Sequence, residues 1–143
     1  GTPAWKTSHP SRPRSTRPAL SRALLVWGPA ALWAGVIFLL SSTSHPPGSD
    51  LLFLIPAGDK LGHLLLYGVL GAALARVRRL QPFIPSLALV VLGALYGASD
   101  EFHQSFVPGR EVSILDWAAD LCGVAAGLRL FSASRRPAVV RAS

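Results

Sequence analysis

The 143-residue sequence predicts an all-α integral membrane protein built as a four-transmembrane-helix bundle. Three observations predict it. Half the residues are apolar and only 15% are charged, with mean hydropathy +0.41, too apolar for a soluble domain of this size. Four apolar runs approach the ~20 residues needed to cross a hydrocarbon core about 30 Å thick. Acidic and basic residues are sorted to opposite ends of those runs.

Residues 1–23 are rich in Pro, Ser, Thr and basic residues, including Lys6, Arg12, Arg14, Arg17 and Arg22, and read as a disordered basic tail. The first run, Leu24 to Leu40, exceeds the roughly 7–15 residues of a signal-peptide core and is read as an uncleaved anchor with Pro29 near its start. The polar connection from Ser41 to Gly58 holds an apolar patch, Leu51 to Pro56, too short to span and expected along the membrane surface. Helix 2 is expected from Asp59, as N-cap, to Ala75, ending at the basic cluster Arg76, Arg78 and Arg79. Helix 3 follows Pro82 and runs from Phe83 through Ala98, with one further turn to Gln104. Pro108-Gly109 breaks the chain, and Ser113 to Asp116 has the spacing of a capping box opening helix 4, which ends at Phe131. The membrane domain is thus 24–131, followed by a basic tail, 132–143, with Arg135, Arg136 and Arg141.

Charge placement predicts orientation. Apart from Lys60 and Arg110, the basic residues lie in the tails, the helix 2–3 turn or the end of helix 4, whereas the acids lie in or beside the other two connections. By the positive-inside rule both termini are cytoplasmic and the acidic connections face outward in a multi-pass cell-membrane protein. A nucleic-acid partner is not expected, because the basic residues form no patch with interleaved aromatics. Cys122 is the single cysteine and is read as a packing residue, so no intrachain disulfide forms.

Helical periodicity groups the polar residues. At 100° per residue, Lys60, His63, Tyr67 and Gly71 share one sector of helix 2, with Asp59 beside it; Gly93, Tyr96, Asp100 and Gln104 share one on helix 3. Asp116, Asp120, Gly123 and Gly127 share one on helix 4, the last two forming a GxxxG pair suited to close backbone approach. Hydrocarbon penalises ionisable groups, so these stripes are expected to converge at the outward end of the bundle. Leu61 to Ala75 would cover only about 22 Å of a ~30 Å core, which would draw the polar end into the membrane as a shallow cavity. The candidate pocket residues are Asp59, Lys60, His63, Tyr67, Asp100, Glu101, His103, Gln104, Arg110, Asp116 and Asp120, and the packing glycines are Gly71, Gly93, Gly123 and Gly127.

Asp59-Lys60-x-x-His63-x-x-x-Tyr67, then Asp100-Glu101-x-His103-Gln104-x-Phe106-x-Pro108-Gly109-Arg110, then Asp116 and Gly123, resembles the VanZ-like family over roughly residues 24–130. That family takes its name from a protein of a glycopeptide-resistance cluster linked to teicoplanin resistance. The resemblance implies a four-helix membrane protein of the bacterial cell envelope, with antibiotic resistance as an associated property and no established reaction, ligand or cofactor to transfer. Asp120 departs from the family pattern, where Asn is expected, and adds a negative charge to the pocket.

Each residue also has a structural role open to it. Asp59 and Asp116 suit helix caps, Lys60 suits snorkelling to the interface, and Tyr67 and Tyr96 suit interfacial positions. Arg110 could pair with Glu101 or Glu111 to hold the loop. His63, and the close grouping of Asp100, Glu101 and His103, are less readily explained in that way.

Three functions are compatible with the pattern. One is a pocket binding a lipid-linked or anionic head group through Lys60, Arg110 and His63. The second is a membrane-embedded hydrolase or transferase in which His63, His103, Asp100, Glu101 and Asp120 supply a divalent-metal or general acid/base site. The third is a partner subunit of a membrane complex. No HExxH, nucleophile elbow or paired metal motif is present, so no residue is assigned to a metal, and oligomeric state is not encoded legibly.

Overall fold

The computed structural model describes residues 19–133, which form five helices and no strand: α1 (Ala19–Ser41), α2 (Ser49–Phe53), α3 (Gly58–Leu80), α4 (Ser86–Gln104) and α5 (Ile114–Ala133). The described ends of the expected tails are helical, since 19–23 opens α1 and 132–133 closes α5; the rest of both tails lies outside the described residues.

Because α1 starts at Ala19 and not Leu24, Pro29 sits in the helix interior. A proline there has no N–H to donate to the carbonyl four residues back, which belongs to Leu25. Arg76 of α3 supplies the missing donor: its Nη1 reaches Leu25 O at 2.6 Å and Val26 O at 3.3 Å.

The helix bounds differ from expectation in three further ways. Gly58, and not Asp59, opens α3, and its cap is Ala57 in the left-handed region (φ 58°) with no side-chain cap bond. A side chain at Gly58 would overlap the backbone of Leu52, so the close seating of α2 on α3 requires glycine there. At its other end α3 runs through the basic cluster to Leu80, with Arg78 and Arg79 in the last turn, where cations suit the helix dipole. Its 23 residues reach about 34 Å. The expected shortness of this helix is therefore overturned, and Asp59 is not drawn into a bilayer on that account. Finally, α4 begins after Pro85 and continues to Gln104, which places Asp100, Glu101, His103 and Gln104 on one helix.

Glycine lets α3 and α5 meet backbone to backbone. A side chain at Gly127 would overlap the Gly68 carbonyl, one at Gly123 the Leu64 carbonyl, and one at Gly71 the Val124 carbonyl. On α4, Gly93 leaves room for the Val124 side chain. Around this seam pack Tyr67, Leu70, Leu74, Val77, Leu89, Val124 and Leu128. Three polar tips tie helices together by donating to backbone carbonyls: Trp33 Nε1 to Leu66 O (2.8 Å), Tyr96 Oη to Ala34 O (2.6 Å) and Trp117 Nε1 to Ala94 O (2.9 Å).

Polarity is distributed opposite to that of a soluble domain. Asp100, Glu101, Gln104, Asp116 and Asp120 are buried, while Leu32, Val69, Leu87, Leu95 and Leu130 are exposed on four different helices. Of the described helices, α1 and α3 are long and apolar enough to cross a membrane. Expected spans 3 and 4 carry charge within their apolar stretches, Asp100 and Glu101 on α4 and Asp116, Asp120 and Arg129 on α5.

Candidate functional site

A cavity of about 690 Å³ lies among the C-terminal ends of α1 and α4, the N-terminal ends of α3 and α5, α2, and the 105–113 connection. Asp59, Lys60, His63, Tyr67, Asp100, Gln104, Arg110 and Asp116 all line it. Eight of the residues singled out from sequence therefore meet at one end of the bundle.

The first four come from α3. Lys60 Nζ bridges two carboxylates, Asp59 Oδ2 at 2.7 Å and Asp116 Oδ1 at 2.9 Å, so it joins α3 to α5 instead of only snorkelling. One turn deeper, His63 Nδ1 lies 2.9 Å from Asp120 Oδ1. An ionised carboxylate only accepts, so Nδ1 carries the proton in this pair. Tyr67, a further turn in, is fully buried, and its hydroxyl has no hydrogen-bond partner among the described residues.

On α4, Asp100 Oδ2 accepts from Ser41 Oγ (2.8 Å) and from Gln104 Nε2 (3.2 Å), while Oδ1 is buried without a partner. Asp100 and Gln104 lie one helical turn apart, which allows them to act as a unit with the last residue of α1. Ser41 was not among the sequence candidates. Its signal was the polar run Ser41-Ser42-Thr43-Ser44 directly after an apolar helix.

Glu101 and Asp120 sit behind the cavity wall. Asp120 is fully buried and backs His63, with its second oxygen unpaired. Glu101 Oε2 accepts from Ser113 N at 2.9 Å, and Oε1 is buried and unpartnered. Half of the expected capping box forms, with Ser113 Oγ accepting from Asp116 N at 3.4 Å. Its reciprocal half is supplied by Glu101, because Asp116 is held by Lys60.

His103 is not brought to the cavity. It stacks on Phe38 at 4.5 Å and hydrogen-bonds Ser42 through Nε2 at 3.0 Å, because α1 covers that flank of α4. This corrects its placement among the pocket residues. Arg110 follows the Pro108-Gly109 turn, in which Gly109 is left-handed (φ 79°) and Pro108 O accepts from Ser44 Oγ at 2.6 Å. No carboxylate lies within ion-pair distance of Arg110 among the described residues, so neither Glu101 nor Glu111 holds it, and its buried Nε is unpartnered.

Ligand atoms of His63, Glu101 and Asp116 lie within 4.8 Å of one another. They come from three different helices, and no spacing along the chain announces them.

An all-α bundle with an apolar exterior, two helices long enough to span, and acids turned inward around a polar cavity fits a membrane protein. The chain belongs to the VanZ/LLP1 family, whose model matches residues 4–135, nearly its whole length. No curated protein and no solved structure gives a significant match.

Proposed function

We propose that the chain is a four-span protein of the cell membrane with both termini cytoplasmic, and that its cavity opens to the extracytoplasmic side to bind an anionic head group of a cell-envelope component. The exposed leucines of α4 and α5 support membrane exposure of those helices as well, with their acids directed to the interior. Arg76, Arg78 and Arg79 at one end of α3, with Asp59 at the other, support the orientation.

The observation that carries the binding reading is Arg110: a guanidinium in the cavity wall with no carboxylate partner among the described residues. Its planar donors suit a phosphate or pyrophosphate oxygen. Lys60, already shared by two carboxylates, is the weaker anion ligand of the two.

The test is thermal protection of the detergent-purified chain by phosphatidylglycerol and by farnesyl pyrophosphate, the latter standing in for a lipid-linked wall precursor. The expected result is protection that disappears in Arg110→Ala while unliganded melting is unchanged. Equal protection of parent and variant rejects the reading, and the lipid that protects names the source of the head group. Protection by the pyrophosphate would extend the proposal to glycopeptide susceptibility.

One observation favours a second reading, a hydrolase or transferase. Asp120 orients the His63 imidazole as a carboxylate orients a general base. Release of inorganic phosphate from farnesyl pyrophosphate, lost in His63→Gln, is the expected signature; no release above a protein-free control excludes it for that substrate.

A further inference from the structure

We propose that His63, Glu101 and Asp116 form a binding site for a divalent transition-metal ion, with Zn²⁺ the best match to the donors. Ligand atoms of the three residues lie within 4.8 Å of one another. Modest side-chain rotation converts that spacing into zinc–ligand bonds of about 2.0–2.2 Å. One imidazole nitrogen and two carboxylates suit zinc or manganese better than magnesium or calcium, which prefer all-oxygen shells.

Proximity of acids alone would not make a site, and two independent features point to a ligand. Glu101 is only 5% exposed, and with Oε2 taken by Ser113 N its Oε1 is left buried without a partner among the described residues. An unpaired carboxylate oxygen in that setting is costly unless something binds it. The second feature is the support behind His63. Asp120 holds Nδ1 and leaves Nε2 for coordination, as the carboxylate behind a metal-bound histidine does. Asp116 is supported likewise, since Lys60 occupies Oδ1 and leaves Oδ2 for the metal.

Charge balance argues the same way. Glu101 and Asp116 lie at this point and Asp120 directly behind His63, and among the described residues Lys60, on Asp116, is the one Lys or Arg ion-paired to any of them. A cation between Glu101 and Asp116 offsets that excess in a poorly solvated region. Since His63 and Asp116 also line the cavity, three protein donors leave one coordination position for water or a ligand oxygen. The site stands on these donors and does not require the head-group reading.

The experiment uses the full chain, without a polyhistidine tag, in detergent micelles and free of added lipid. After chelator treatment, the protein is equilibrated with Zn²⁺ or with Mn²⁺, passed through a desalting column and measured by elemental analysis. The expected result is about one ion per chain in the parent and in His103→Ala, with affinity reduced at least about tenfold in Glu101→Gln and Asp116→Asn. A parent chain that emerges free of both metals, or donor variants that retain the parental amount, overturns the proposal.

Should a donor variant fail to fold, Co²⁺ added to the parent chain decides the matter. Absorption of cobalt held by nitrogen and oxygen ligands at low coordination number supports the site, whereas the spectrum of hydrated cobalt overturns it. All these measurements omit lipid, so their failure leaves the Arg110 test of head-group binding untouched.

Discussion

His63 on α3 donates from Nδ1 to Oδ1 of Asp120 on α5 across 2.9 Å, and Asp120 is completely buried. The two residues are 57 positions apart in the chain, and their contact joins two helices whose backbones meet at Gly68, Gly71, Gly123 and Gly127. It also leaves Asp120 Oδ2 without a partner, so the pair tolerates little further loss.

His63→Ala removes the one donor that Asp120 has among the described residues. Stability should fall by about 3–5 kcal/mol, because a buried carboxylate is left uncompensated. Asp120→Asn keeps an acceptor for Nδ1–H and should cost under about 1.5 kcal/mol. Denaturant titration of the detergent-solubilised chain gives both values, and equal small losses would show that the pair is not buried as described.

The α3–α5 seam predicts a contrast among glycines. Gly127→Ala forces a methyl against the Gly68 backbone and should destabilise by about 1–3 kcal/mol. Gly35→Ala on α1 meets nothing within 4 Å and should be neutral or stabilising by up to about 1 kcal/mol. Thermal melting of the two variants side by side checks the order, and a reversed order would refute the seam.

Arg76 and Pro29 should be energetically coupled through the Leu25 carbonyl. Arg76→Ala leaves that carbonyl unpaired in the parent, but in a Pro29→Ala background the new N–H can take it. A double-mutant cycle should return a coupling of roughly 1 kcal/mol. Additive losses would mean that Arg76 acts there only through packing or charge.

Orientation is open to chemical labelling. With the sole cysteine removed as Cys122→Ser, a membrane-impermeant maleimide applied to intact cells should label Glu111→Cys, in the α4–α5 connection, and spare Gln81→Cys, in the α3–α4 turn. The opposite pattern would invert the proposed topology.

Much of this is legible in the sequence. Apolar runs, prolines and charge placement were enough for an all-helical chain with these turns, because each is a local property of a few neighbouring residues. Periodicity also singled out Lys60, His63, Tyr67, Asp100, Gln104 and Asp116 as inward-facing, since a helix repeats every ~3.6 residues wherever it sits. Helix ends were less legible. Arg76, expected at the end of its helix, lies inside α3 and finds its acceptor on α1, 51 residues away.

Pairing across helices could not be read in advance. His103 and Asp100 share a helix end, yet α1 takes the first onto Phe38 and Ser42, while Asp100 turns to the cavity with Ser41 and Gln104. Glu101, expected among the pocket residues, instead completes the cap of α5 and lies close to His63 and Asp116. Such choices depend on which helices touch and how they are rotated, set here largely by glycine contacts between α3 and α5. A linear pattern specifies which face of a helix is polar; only packing specifies what that face meets.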